Sequence, residues 1–344
     1  MTTIIDKKCE TKNCPAGDCG TCRTCRTCRT GCSNTKKALV LGWTEALRHR
    51  TVGTALASLP ADLASTDGTV VFVPAGCRVE GPVRLADCGS PNGTLAVVAE
   101  AGSELTLLDT ARCGCGDGPQ QARLLIFVGR GATVRLTELR CLLEDQRFDG
   151  RIWASVNEDG RLKLFSGLLG GGHLNCRTEI ALESRGAAVE RYGLALGTEN
   201  GHCEMNDTIR HFAVGTSSYI MTRSVLTDHA SADWRLLTEI EPKAEECDGR
   251  QDCRTLLLSP TARAEIVPSF EIGTDDVTCS HSASIGQPDA QSLFYLESRG
   301  LPAEQARRLT ALGFFRPLVE RIWDDETRET VLGMIQSRLE CRVN

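Results

Sequence analysis

From Gly68 to about Glu241 the chain is written in short β-prone runs of four to eight residues, among them TVVFV, PVRLA, TLAVVA, LTLLD, RLLIFV, TVRLTEL, RIWASV and RLKLF. Glycine, asparagine and aspartate separate them, and no long helical pattern intervenes. Many short strands at near-regular spacing restrict the fold to a sandwich, a barrel or a β-solenoid. Segments such as GCRVEGP and VNEDGR supply the turn residues that the corners of such an architecture need. The pattern by itself does not choose among the three.

The flanks read differently. From Ala38 to about Leu63 the apolar positions Leu39, Val40, Trp43, Leu47, Leu56 and Leu59 recur at spacings compatible with one helical stripe before Pro60 interrupts, which predicts a helical lead-in over 38–67. Beyond a β core over 68–288, the segment 289–344 predicts a helical domain. DAQSLFYLESRG stops at Gly300, Pro302 and Ala303 open a second helix, and Val319 to Leu339 forms a third, with Glu304, Arg307, Arg308, Glu320 and Arg321 on the solvated side. That cap is also a candidate partner surface.

At 344 residues the chain can bury a large core without staples, so its 18 cysteines are read as thiol or metal chemistry and not as a disulfide framework. A net charge of -6 offers no excess of Lys and Arg for nucleic acid or an anionic membrane. The start MTTIIDKKCETKNC lacks the apolar core of a secretory signal, and no window approaches a membrane span. These features predict a cytoplasmic protein.

Seven cysteines crowd into the first 32 residues. Residues 1–37 hold almost no large apolar side chains and cannot bury a core unless metal organises them. Within them Cys22, Cys25, Cys28 and Cys32 have the C-x2-C-x2-C-x3-C spacing that brings four thiolates to one cubane cluster. Ser33 replaces the usual following proline, and a TCR triplet repeat can generate the same spacing; zinc or copper also accept such thiolates. A second set, Cys253, Cys279 and His281, can meet if adjacent strands stack. On residue chemistry alone these are two buried thiols and a structural histidine. The CGCG run at Cys113–Gly116 reads as a corner loop, GLLGGGH at Gly167–His173 lacks the strand-to-helix setting of a dinucleotide loop, and His211 and His229 read as structural. Asp275 and Asp276, as neighbours on a strand, would point to opposite faces.

The segment EIGTDDVTCSHSASIGQPDAQSLFYLESRGL resembles the hallmark region of the SufB/SufD family of iron–sulfur assembly scaffolds. TVVFVPAGCRVEGPVRL and IRHFAVGTSSYIMTRSVLTDHASADW resemble that family's entry strand and middle section, so the likeness runs from about residue 68 to about 325. The resemblance implies a right-handed parallel β-helix followed by a helical domain. It further implies dimerisation through the β-helix, with a second copy or a SufB/SufD-like paralogue, and recruitment of a SufC-like ABC-type ATPase by the helices. Such a scaffold receives sulfur from a donor and passes a transiently bound cluster, [4Fe-4S] favoured, to apo-protein acceptors, without turning over a substrate itself. Cys253 in QDCRTLLL matches the SufB cysteine of Q-C-D-S-L-L, while Cys279 and His281 match the SufD C-S-H-G-A segment.

The pattern of neither paralogue is reproduced whole. Ser282 stands where SufB has glutamate and SufD glycine. The upstream SufB cysteine that receives sulfur falls in register with Ser155, leaving Cys141 and Cys176 as stand-ins. A self-pairing chain would then bring two copies of Cys253 and His281 to one interface. No G-x-x-x-x-G-K-[ST] loop is present, so nucleotide binding belongs to the partner. Two other classes fit parts of the sequence: a β-helix enzyme acting on polysaccharide through Asp275 or Asp276, and a cysteine-rich zinc or copper protein. The 5% aromatic content provides few sugar-stacking platforms for the first.

Overall fold

A computed structural model describes residues 38–340, apart from 64, 66, 85–92 and 112–119, together with the backbone of Thr3 and Ile4. The strands form two sheets. The first is ordered β1 (Thr3–Ile4), β2 (Leu39–Gly42), β3 (Thr69–Val73), β5 (Gly93–Ala99), β7 (Gln120–Val128), β9 (Arg147–Val156), β11 (His173–Leu182), β13 (His202–His211), β15 (Ser231–Ile240) and β17 (Arg263–Ile272). The second runs β4 (Val83–Arg84), β6 (Glu104–Ala111), β8 (Thr133–Leu142), β10 (Arg161–Gly170), β12 (Ala188–Gly197), β14 (Ser217–Leu226), β16 (Cys247–Leu257) and β18 (Val277–Gly286). From β3 onward successive strands alternate between sheets, and every neighbour within a sheet is parallel. That arrangement is a parallel β-solenoid of about seven turns, which resolves the three-way choice left open by strand spacing.

The register is set coil by coil. Arg161 pairs with Ala188, Ala188 with Ser217, Ser217 with Asp248 and Asp248 with Thr278, so a coil takes 27, 29, 31 and 30 residues in turn. One corner recurs in a left-handed backbone conformation at Gly76, Gly102, Gly131, Asp159, Gly186, Gly215 and Glu246. Glycine dominates there because a side chain at positive φ is strained. From Gly102 onward each of these N–H groups donates to a carbonyl one coil further on, ending with Glu246 to the Asp276 carbonyl. The corner is thereby a hydrogen-bonded ladder of its own.

Alternate residues of every strand point into the solenoid and build one continuous apolar core, from Val71 and Val97 through Leu136, Leu164 and Ile209 to Trp234 and Cys253. The outer face of the first sheet is half-exposed, as in the strict alternation of β13. The outer face of the second sheet is buried as well, as in β10. The difference comes from the C-terminal helices. After α3 (Ala290–Ser298), α4 (Ala303–Val319) and α5 (Asp325–Glu340) lay Ala311, Phe315, Leu318, Val331 and Ile335 onto Phe165, Leu169, Tyr192, Leu194 and Leu196. Arg307, Glu320 and Arg321 stay in solvent, as the stripe predicts.

The lead-in carries the expected helical segment but opens with a strand. Leu39–Gly42 is strand β2, paired antiparallel with β3 so that Leu41 meets Val70. Only α1 (Trp43–Ala46), α2 (Arg50–Ala57) and a short 3-10 turn at Ala61–Leu63 are helical. Four residues of LVLG satisfy a helical stripe and a strand equally well, and the open edge of β3 decides between them. Val52, Leu56 and Leu63 then pack on Val70, Phe72, Val98 and Phe127 and cover the outer face of the early coils.

The candidate cluster site at the terminal coil

The solenoid ends in β17 and β18, and no further coil covers them among the described residues. Inward positions that are sealed one coil earlier are open here: Cys247, Gly249, Gln251 and Cys253 of β16 are buried, whereas Cys279 of β18 is half-buried and His281 exposed. Parallel pairing sets Cys247 opposite Val277, Gly249 opposite Cys279, Gln251 opposite His281 and Cys253 opposite Ala283. All three sequence-predicted core residues therefore share the inner face. Cys253 and His281 are diagonal neighbours, with Cα atoms on the order of 8 Å apart from strand spacing and rise. Cys279 lies two further residues away from Cys253 and packs beside Cys247 instead.

The side chains around this face are held firmly. The His281 ring stacks on Phe270 of the facing sheet, centroids 5.7 Å apart and planes 14° from parallel. Gln251 spans the interior by donating to Thr238 Oγ1 at 3.0 Å and to the Ser269 carbonyl at 3.3 Å. Burial pushes the Cys253 thiol up to about 11, against a lesser opposite pull from the Thr222 hydroxyl, and burial also raises Cys279. Burial favours the neutral form of both thiols, and a bound cation would stabilise a thiolate here. No three His, Cys, Asp or Glu side chains of the described residues converge on a metal position within one chain.

On the outward side of the same strands, Ser282 Oγ donates to Asp252 Oδ1 at 3.1 Å, and Arg223 Nη2 donates to Asp252 Oδ2 at 2.6 Å. Burial would raise this carboxyl, but Arg223 and Arg254 hold it below the usual range. A carboxylate thus stands beside Ser282 after all, contributed by the neighbouring strand.

Other sequence candidates have structural placements. Cys22, Cys25, Cys28 and Cys32, and the Cys113–Gly116 run, lie outside the described residues. Asp275 and Asp276 are not on a strand; both sit exposed in the bend before β18, with the Asp276 carbonyl taken by Glu246 N–H. The Gly170–Gly172 stretch forms a tight corner, where a Cβ would run into Leu142, Leu143 and Glu199. Cys141 faces α5, 3.6 Å from Arg338 Nη2, Ser155 lines a cavity of about 780 Å³ beside α2, and Cys176 is buried with its thiol pushed far up by burial. His211 is buried, hydrogen-bonded to Thr216 Oγ1 at 2.8 Å and Ser218 Oγ at 2.9 Å. Sequence reasoning missed Cys247, because only the register of two strands 30 residues apart brings it beside Cys279.

Among the described residues, Cys176, Cys203, Cys247, Cys253 and Cys279 are free thiols. A parallel solenoid that carries free thiols, uncapped where Cys253 and His281 stand diagonal on its last two strands, defines a class of protein that presents soft ligands at an open edge. The sequence comparisons specify the class further. Residues 87–314 match the family model described as SUF system FeS cluster assembly, SufBD core domain. The chain belongs to the SufB/SufD family. It is similar to the iron–sulfur cluster assembly protein SufD of Bacillus subtilis, 26% identical over 79% of this chain and 64% of that one. The SufD protein of Escherichia coli is 29% identical over 53% of this chain and 43% of its own length. The SufB protein of Bacillus subtilis is 24% identical over 74% and 56% respectively. The chain therefore spans 43% to 64% of the length of these relatives.

Proposed function

We propose that this chain is a cytoplasmic scaffold subunit for iron–sulfur cluster assembly and transfer, with the nascent cluster as cargo at the terminal coil. The observation that carries this reading is the shared inner face of β16 and β18, where Cys253 and His281 stand diagonal to each other at the uncapped end. Among the described residues, one chain offers too few converging ligands for a cluster. A second copy or a related paralogue, meeting it end to end, doubles the set. The free edges of β17 and β18 and the exposed Val267, Ile272 and Ile285 at that end suit such pairing.

The chemistry of energy input belongs to a partner. α3 exposes Phe294 and Tyr295, at 72% and 57%, beside a shallow cavity lined by Asp289, Gln291, Ser292, Tyr295 and Leu296. This apolar patch is the docking surface we assign to a SufC-like ABC ATPase, whose cycle would open and close the paired ends. The N-terminal Cys22, Cys25, Cys28 and Cys32 form a separate proposed cluster or metal motif, and a sulfur donor and apo-protein acceptors complete the partner set.

Anaerobic reconstitution with iron and sulfide tests the reading. A cluster spectrum should persist when Cys22, Cys25, Cys28 and Cys32 are replaced by serine and vanish in Cys253→Ala/His281→Ala. Retention in the second variant and loss in the first would move the site to the N-terminal motif. Co-purification with an ABC ATPase, lost in Phe294→Asp, checks the partner.

A further inference from the structure

Cys279 has a different neighbour from the one its sequence position suggests. Cys247 is 1% exposed on the inner face of β16, and Cys279 packs against it within a small apolar cluster that also holds Ile240, Ala244 and Val277. Their register makes them a diagonal pair, the mirror of the Cys253–His281 diagonal on the same two strands. Gly249 stands directly opposite Cys279, and its missing side chain leaves room beside that sulfur: a Cβ there would stand 3.5 Å from Cys279 Sγ and 3.1 Å from Phe270 Cε1.

Two thiols so placed suit a metal better than each other. Cβ atoms of diagonal neighbours stand roughly 7 Å apart, beyond the roughly 4 Å that a disulfide spans. Two thiolates that each bond one cation at about 2.3 Å cover that interval. The apolar walls favour a neutral assembly, and one divalent cation with two thiolates carries no net charge. The inner sulfur is held in position: Thr216 Oγ1 is 3.0 Å from Cys247 Sγ and is itself fixed by its bond to the Ala213 carbonyl at 3.0 Å and by His211 Nδ1 at 2.8 Å. Cys279, on the last strand, leaves the cation's remaining positions open toward the uncapped end.

We propose that Cys247 and Cys279 form a two-sulfur site for a single thiophilic divalent cation of the iron(II) to zinc(II) class, adjacent to the Cys253–His281 pair and separable from it. Only the assignment of iron(II) as its natural occupant rests on the scaffold reading; the site itself does not. Each thiol exchanges its proton for a bond to the cation, so no oxidant or reductant is involved.

Anaerobic titration of the full chain with Co2+, followed by thiolate-to-cobalt charge-transfer absorption, tests the site. Cys247→Ser and Cys279→Ser should each weaken the same component at least about tenfold, the lower range for loss of metal-site support. The double variant should lose no more than either single one, and Cys253→Ala/His281→Ala should leave that component intact. An unchanged titration in either single variant, or a double-variant loss equal to the sum of the single losses, overturns the proposal. Cys279 is half-exposed, so Cys279→Ser decides the matter alone if circular dichroism shows that Cys247→Ser is unfolded. Cluster reconstitution is scored separately: Co2+ binding through this pair without cluster formation supports the pair and overturns the scaffold reading.

Discussion

Arg191 and Asp207 face each other across the interior of the solenoid as an ion pair, Nε to Oδ2 3.1 Å, with side chains 0% and 1% exposed. Arg191 Nη1 also donates to the Tyr192 carbonyl at 2.6 Å. Removing one partner leaves an uncompensated buried charge, which costs about 3–5 kcal/mol, while replacing both by apolar residues of similar volume is far less harmful. Asp207→Leu should therefore lower the urea midpoint sharply, and Arg191→Met/Asp207→Leu should recover most of it.

Burial holds His211 neutral by lowering its pKa to about 4 from an ordinary 6.5. With the folded-state value depressed, protons bind the unfolded chain first as pH falls. The His211 contribution is fully present above pH 6.5 and drains away between 6.5 and about 4, by up to about 3 kcal/mol at 1.36 kcal/mol per unit. Thermal melts across that window should show a shallower acid slope in His211→Gln, after allowance for its lower starting stability.

Cys253 titrates in the opposite sense. Burial raises the thiol from 9.0 to about 11, so the neutral form that folding favours is retained below pH 9 and its stabilisation is lost as pH rises through 11. Alkylation of the metal-free folded chain, read by mass spectrometry, should label Cys253 slowly at pH 8 and much faster after unfolding.

Phe315 is 0% exposed in the seam between α4 and the second sheet. Phe315→Ala should cost about 3–5 kcal/mol through lost burial and a cavity. The local expectation is earlier proteolytic release of α4 and α5, while the coils remain protected; uniform digestion of the whole chain would show that helices and coils unfold as one unit.

Ile285, 43% exposed on the last strand, tests the end-to-end pairing. Ile285→Asp should convert a dimer to a monomer in sedimentation without lowering the melting temperature of the separate chain. An unchanged oligomeric state would place the contact elsewhere.

Much of this was legible in the residues. Runs such as TVVFV and RLLIFV became strands because β-branched and aromatic side chains suit a pleated, buried surface, and Pro302 and Gly300 marked the helix boundary between α3 and α4. Local pattern could not decide Leu39–Gly42, since its partner β3 begins almost 30 residues later. The same limit governs the site. Cys253, Cys279 and His281 could be nominated, but which cysteine neighbours which depends on the 30-residue coil from Asp248 to Thr278, a length that no local signal encodes. Asp275 and Asp276 read as strand residues by their neighbours, but the strand starts only at Val277.

The two ends of the solenoid are unequal. Among the described residues, the outermost strands of the first coils, β1 (Thr3–Ile4) and β4 (Val83–Arg84), are two residues long, whereas β17 and β18 present ten each. Growth by edge pairing needs a long edge at both ends of every unit, because each added molecule must offer a fresh template. A molecule with one long edge would satisfy it once and then have nothing further to offer, so end-to-end association of the kind proposed would stop at a closed pair and not run on into a filament. The asymmetry that leaves the terminal thiols uncovered is, in polymer terms, a chain terminator.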